Sequence, residues 1–136
     1  MGTKLIFLAD AHLCPERTER TDSLCAFLRA QRTETQAVYI IGDLFDYWTG
    51  AKQRRLPEWA GILERLGDAA RGGPPVGVIG GNRDYLLDDA ALAPYGLTSL
   101  GMDPRFEHDG LRFHLLHGHM QFPAPWHSRL FLRWIQ

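Results

Sequence analysis

An α/β fold with a largely parallel sheet is predicted by two features. The chain runs strand, helix, strand, helix, strand, helix and then a hairpin, and its first three strands are apolar enough to be buried on both faces. Residues 3–9 form the first such run, ending at Asp10. Pro15 breaks the chain, and residues 17–32 read as a helix with Leu24, Phe27 and Leu28 on one face. Residues 37–41 form a second buried strand, ending at Gly42-Asp43. Pro57 opens a helix at a position where proline is tolerated, and Trp59, Ile62, Leu63 and Leu66 make its apolar stripe. Gly72-Gly73-Pro74-Pro75 stops it. Residues 76–79 are a third buried strand, ending at Gly80-Gly81-Asn82, and a short helix is expected over 86–93 before Pro94. Residues 106–108 and 111–116 flank Asp109-Gly110, a strong two-residue hairpin signal.

Composition narrows the function. The chain has 136 residues, 45% hydrophobic and 23% charged, which fits one globular domain or part of a larger one and excludes a disordered chain, a coiled coil or a collagen-like fibre. A net charge of −1 provides no basic field for nucleic acid. No apolar run approaches the roughly 20 residues of a membrane span. The N-terminal stretch reaches Asp10 too soon for a signal peptide. Cys14 and Cys25 lack metal-site spacing and read as reduced thiols, so the chain is expected to be cytoplasmic.

The four strand-like runs each end in a polar cluster: Asp10-Ala11-His12, Gly42-Asp43, Gly81-Asn82-Arg83-Asp84 and His117-Gly118-His119. Ligands of open α/β sheets bind at the carboxyl ends of strands. On an extended segment Asp10 and His12 would point to one side. Asp43, Asn82 and His117 add oxygen and nitrogen donors without sulfur, a set suited to manganese, iron, zinc or nickel rather than calcium. Asp43, central in the set, is the natural bridge between two ions through its two oxygens. Any one of these residues alone would read as a turn former, a helix cap or a core histidine. Five of them at successive strand ends favour a metal centre. His108 and His114, at the hairpin, read as structural.

Asp10-Ala11-His12, Gly42-Asp43-Leu44-Phe45-Asp46, Gly81-Asn82-Arg83-Asp84 and Leu116-His117-Gly118 resemble, in order and spacing, the first four signature blocks of the calcineurin-like metallophosphoesterases. The resemblance implies a metallophosphoesterase-type βαβ sandwich over residues 1–136, and two divalent ions. Asp10, His12 and Asp43 would hold the first ion, and Asp43, Asn82 and His117 the second. It also implies in-line attack on phosphorus by hydroxide held between the ions. Most of the superfamily carries a histidine where this chain has Arg83. The runs from Gly42 to Trp48 and from Gly81 to Leu87 resemble instead the UDP-2,3-diacylglucosamine pyrophosphatases of lipid A synthesis. Arginine does not give up a proton but grips two phosphate oxygens with its planar fork. Arg83 therefore fits cleavage of a pyrophosphate, whose leaving phosphate needs little acid help.

By this reading Asn82 and Arg83 are catalytic, Arg83 binds substrate, and Asp46 and Asp84 are supporting carboxylates or loop caps. Manganese is the first choice of metal. The expected partner is a nucleotide-sugar lipid, with no nucleic acid. Tyr47 and Trp48 read either as a nucleobase platform or as packing beneath the site. The stretch with Phe122, Trp126, Leu130, Phe131 and Trp134 reads equally as a lipid-facing cap, with peripheral contact at the inner face of the membrane, and as an amphipathic core helix.

Two departures from the resembling families stand out. A fifth block, Gly-His-x-His, is absent, and His119 stands where the pyrophosphatases carry Asp. The expectation is a domain short of its closing strands. The alternatives are His119 as a substitute ligand, or a non-catalytic relative. A phosphodiesterase or nuclease of the same superfamily is the other enzymatic reading, against which the near-neutral charge and Arg83 both speak.

Overall fold

Strand β1 (Lys4–Leu8) runs parallel to β2 (Thr35–Ile41), which pairs in parallel with β3 (Val76–Ile79), and β3 pairs with the two-residue β4 (Thr98–Ser99). The sheet order is β1-β2-β3-β4. Helix α1 (Thr18–Ala30) crosses from β1 to β2, and helix α2 (Pro57–Ala70) from β2 to β3. A short helix α3 (Asp89–Leu92) precedes β4, and the hairpin β5 (Arg105–His108) and β6 (Leu111–His114) forms a second, two-stranded sheet. This computed structural model describes residues 4–31 and 33–118. His119 and the aromatic stretch beyond Gln121 lie outside the described residues.

Period-two alternation sorts the sheet residues into two layers. Val38, Ile40, Val76 and Val78 enter the main core with Leu24 and Leu28 of α1 and Ile62, Leu63 and Leu66 of α2. On the opposite face Phe7 stacks on Tyr39 at 5.3 Å, and the pair is covered by hairpin residues Phe113 (5.7 Å from Phe7) and Phe106 (5.0 Å from Tyr39). The hairpin thus docks on the sheet as a second layer. Its turn matches the signal, since Asp109 and Gly110 both take positive φ, 50° and 75°, as a type I′ turn requires.

The α2 stripe is buried as the spacing predicts, with Pro57 in the first turn. Three expectations need correction. β1 is not buried on both faces: it lies at the sheet edge, and Phe7 remains 39% exposed. On α1 the buried stripe is Thr21, Leu24, Cys25 and Leu28, a run of i, i+3, i+4 and i+7. Phe27 falls about one position outside it and is exposed. The helix expected over 86–93 shrinks to Asp89–Leu92, because Asp88 caps it by accepting the Ala91 N–H at 3.0 Å. Pro94 then sits inside a 3₁₀ turn (Ala93–Tyr95). β4 has no alternating pattern to announce it and was not expected.

Cys14 and Cys25 are free and buried, and burial pushes the Cys25 thiol up from its ordinary value. Among the described residues no helix is long and apolar enough to cross a membrane.

Candidate metal centre

The segments that follow β1 and β2 stay paired past the strand ends. Asp10 N–H donates to the Gly42 carbonyl at 3.2 Å, His12 N–H to the Asp43 carbonyl at 3.0 Å, and Leu13 N–H to the Leu44 carbonyl at 2.8 Å. Asp10, His12 and Asp43 take φ of 59°, 48° and 53°. Asp10 and His12 are therefore not on an extended segment. They reach one side by left-handed turns of the backbone, each costing about 1–2 kcal/mol for an L-residue. Strain of this kind, concentrated in three neighbouring residues, is characteristic of functional sites.

The side chains converge. One atom each of Asp10, His12 and Asp43 lies within 4.8 Å of the others, a group able to hold a cation. His12 Nε2 stands 3.6 Å from Asp10 Oδ1 and 3.8 Å from Asp43 Oδ2. From the other side, His117 Nε2 stands 3.4 Å from the same Asp43 Oδ2, 3.0 Å from Asn82 Oδ1 and 3.9 Å from Asp10 Oδ1. Asp43 is buried, and its other oxygen, Oδ1, accepts the Arg83 backbone N–H at 2.9 Å. Oδ1 is thus tied to the backbone, and the atom Oδ2 faces both histidines.

His117 follows the hairpin rather than a strand of the parallel sheet, so the expectation of four successive strand ends fails at its fourth member. β6 ends at His114, and the segment after it carries His117 back to the end of β2. There its Nδ1 lies 2.8 Å from the Ile41 carbonyl, an acceptor only, so Nδ1 carries the proton and Nε2 presents a lone pair. Asn82 Oδ1, Asp43 Oδ2 and His117 Nε2 face one another, and with the neutral ring all three are acceptors, a set able to hold a cation. Atoms bound at about 2.0–2.2 Å to one ion stand roughly 3–3.5 Å apart, close to the separations found here.

Glycines make the approach possible. A Cβ on Gly42 (φ +80°) would lie 2.3 Å from His117 Nδ1, and one on Gly81 would lie 2.2 Å from Asp43 Oδ1. The Gly-Asp and Gly-Gly-Asn motifs therefore make room for ligands.

Asp46 Oδ1 stands 3.4 Å from His12 Nδ1 and 3.5 Å from Arg83 Nη1, linking the His12 imidazole to the half-exposed arginine. Asp84 is buried and accepts backbone N–H groups from Asp43, Phe45 and Gly81. Burial pushes its carboxyl up from the ordinary range, the neighbouring Asp43 charge adds to this, and the N–H bonds offset it in part. Trp48 is buried, stacked on Phe45 at 5.0 Å, so of its two readings packing is the one observed. Tyr47 is half exposed with its ring edge-on to Trp59 at 4.9 Å. His108 and His114 lie on the hairpin strands β5 and β6 and do not belong to the group able to hold a cation. The Ile41 carbonyl that orients His117 escaped sequence reasoning, since a backbone group leaves no motif.

No family model matches the chain. Curated proteins named UDP-2,3-diacylglucosamine hydrolase do match. The Aeromonas hydrophila protein is 34% identical over 113 residues, 83% of this chain and 46% of the relative. That from Stenotrophomonas maltophilia is 39% identical over 95 residues, 70% of this chain and 38% of the relative. The chain is a relative of the UDP-2,3-diacylglucosamine hydrolases. A Vibrio vulnificus hydrolase extends the match to 96% of this chain at 31% identity, covering 56% of the relative. The chain spans about half the length of these hydrolases. Its fold is shared with a crystal structure of a protein of unknown function from Aquifex aeolicus, at a TM-score of 0.51 and 18% identity, covering 94% of this chain and 68% of that one.

Proposed function

We propose that the protein is a dinuclear-metal hydrolase that cleaves the pyrophosphate of a nucleotide-sugar lipid, UDP-2,3-diacylglucosamine first. The observation that carries this reading is Asp43 Oδ2, placed 3.8 Å from His12 Nε2 and 3.4 Å from His117 Nε2. Asp10, His12 and Asp43 would hold one ion, and Asp43, Asn82 and His117 the other. When bound, a pair of divalent ions, manganese first, brings a water's pKa to near neutrality and neutralises charge on the phosphoryl oxygens.

The chain's own residues supply the rest. Only Asp10 and Asp43 among the five ligands are charged, so the loaded centre stays positive and attracts an anionic ester. Arg83 is half exposed beside Asp46 at the rim, where its fork can take two phosphate oxygens. Its backbone N–H holds Asp43 Oδ1, so one residue serves both substrate and ligand. Among the described residues no side chain is set up as a general acid in Arg83's place, and a phosphate leaving group needs none. The names of the relatives support the substrate class.

The test is manganese-dependent hydrolysis of UDP-2,3-diacylglucosamine to a nucleoside monophosphate and a sugar 1-phosphate. Arg83→Gln should lower kcat/KM about 10- to 100-fold, the worth of a charge-assisted hydrogen bond. Arg83→Lys, which keeps the charge but loses the fork, should raise KM more than it lowers kcat. Cleavage of nucleic acid or simple diesters, with the pyrophosphate untouched, would replace this reading with that of a phosphodiesterase.

A further inference from the structure

We propose that Asp84 is a positioning residue of the metal centre: its buried carboxylate holds Asp43 in the left-handed turn that aims Oδ2 at both histidines. The inference rests on the metal-centre reading above, and not on the substrate assigned there.

Asp84 is 0% exposed, so its carboxylate has no solvent to satisfy it and depends on the backbone around it. Its Oδ1 accepts the Gly81 N–H at 2.8 Å and the Asp43 N–H at 3.1 Å, and its Oδ2 accepts the Phe45 N–H at 3.0 Å. Gly81 adjoins the ligand Asn82, Asp43 is itself a ligand, and Phe45 leads into Asp46. One side chain therefore fastens the loop after β2 to the loop after β3. Asp43 returns the tie, accepting the Arg83 N–H on Oδ1 at 2.9 Å. Two carboxylates and four backbone N–H groups form a closed clasp, and only Asp43 Oδ2 is left facing the histidines. A residue at φ 53° is held there by its surroundings, and the Asp43 N–H is the group that Asp84 grips.

Asp84→Asn tests this with almost no change of shape. The amide sets an N–H donor against one of the three backbone donors. The variant of the full chain is expected to keep its circular dichroism spectrum and a cooperative melt. Its affinity for Mn²⁺ alone, by calorimetry, should fall about 10- to 100-fold. Asp88→Ala serves as the comparison, since it removes only the cap of α3 and should lower stability with Mn²⁺ affinity unchanged. Parent-like affinity in Asp84→Asn, or equal loss in both variants, overturns the proposal.

Amide exchange of the unaltered protein, followed by NMR, decides the matter even if Asp84→Asn does not fold. The Asp43, Phe45 and Gly81 amides should be protected equally with and without Zn²⁺. Protection that appears only with the ion shows that metal, not Asp84, orders the loops, and overturns the proposal. Neither measurement reads turnover, so a wrong substrate leaves both results standing.

Discussion

Asp43→Ala is expected to release both ions together and to lower kcat/KM by at least about a thousandfold, some 4 kcal/mol of transition-state stabilisation. Asp10 or His117 removed alone would strip one ion of one ligand, whereas Asp43 Oδ2 faces the ligands of both. The fold should survive. The variant loses the acceptor for the Arg83 N–H and keeps a left-handed backbone that alanine tolerates less well, each costing about 1 kcal/mol. Against this, a buried carboxylate crowded by other acceptors is gone. Metal bound only to the folded state raises its stability by mass action. Thermal melts with and without Mn²⁺ therefore provide a direct check: the parent's midpoint rises with metal, and the variant's does not. A midpoint that still rises as far as the parent's would exclude Asp43 as the shared ligand.

Gly81→Ala should do comparable damage through sterics alone. Its Cβ would meet Asp43 Oδ1 at 2.2 Å and the Asp43 backbone nitrogen at 2.5 Å. A flexible side chain can swing aside, but a backbone atom in the clasp between two loops cannot. The loops must part, breaking the Arg83 N–H bond to Asp43, with a stability loss of about 1–3 kcal/mol and loss of metal binding. Gly61, inside α2, has nothing within 4 Å of a built Cβ. Gly61→Ala should therefore be stabilising by about 0.5–1 kcal/mol, the ordinary helix-propensity gain. Denaturant melts of the two variants should move in opposite directions. A Gly81→Ala protein that melts like the parent and binds metal would show that the loops have slack.

The α2 stripe and the Asp109-Gly110 turn were legible because each depends on local periodicity or local backbone preference. Phe27 was misplaced because apolarity alone does not say which side of α1 meets the sheet, and Cys25 counts as a hydrophobe once buried. β4 was invisible because two residues cannot show a period. The five candidate positions were readable as polar residues at the ends of apolar runs, and their side chains lie close together in the structure. The route was not readable. Asp10 and His12 meet through left-handed turns, and His117 arrives from a hairpin outside the main sheet. The grip of Asp84 on the Asp43 and Phe45 amides and of Ile41 on His117 belongs to tertiary geometry, where the partners are 39 to 76 residues apart.

Anomalous diffraction from crystals soaked in Mn²⁺ tests the shared role of Asp43 most directly. Two peaks about 3.5–4 Å apart, with Asp43 Oδ2 in the coordination sphere of each, are the expected result. A single peak, or two peaks that share no atom of Asp43, would contradict it.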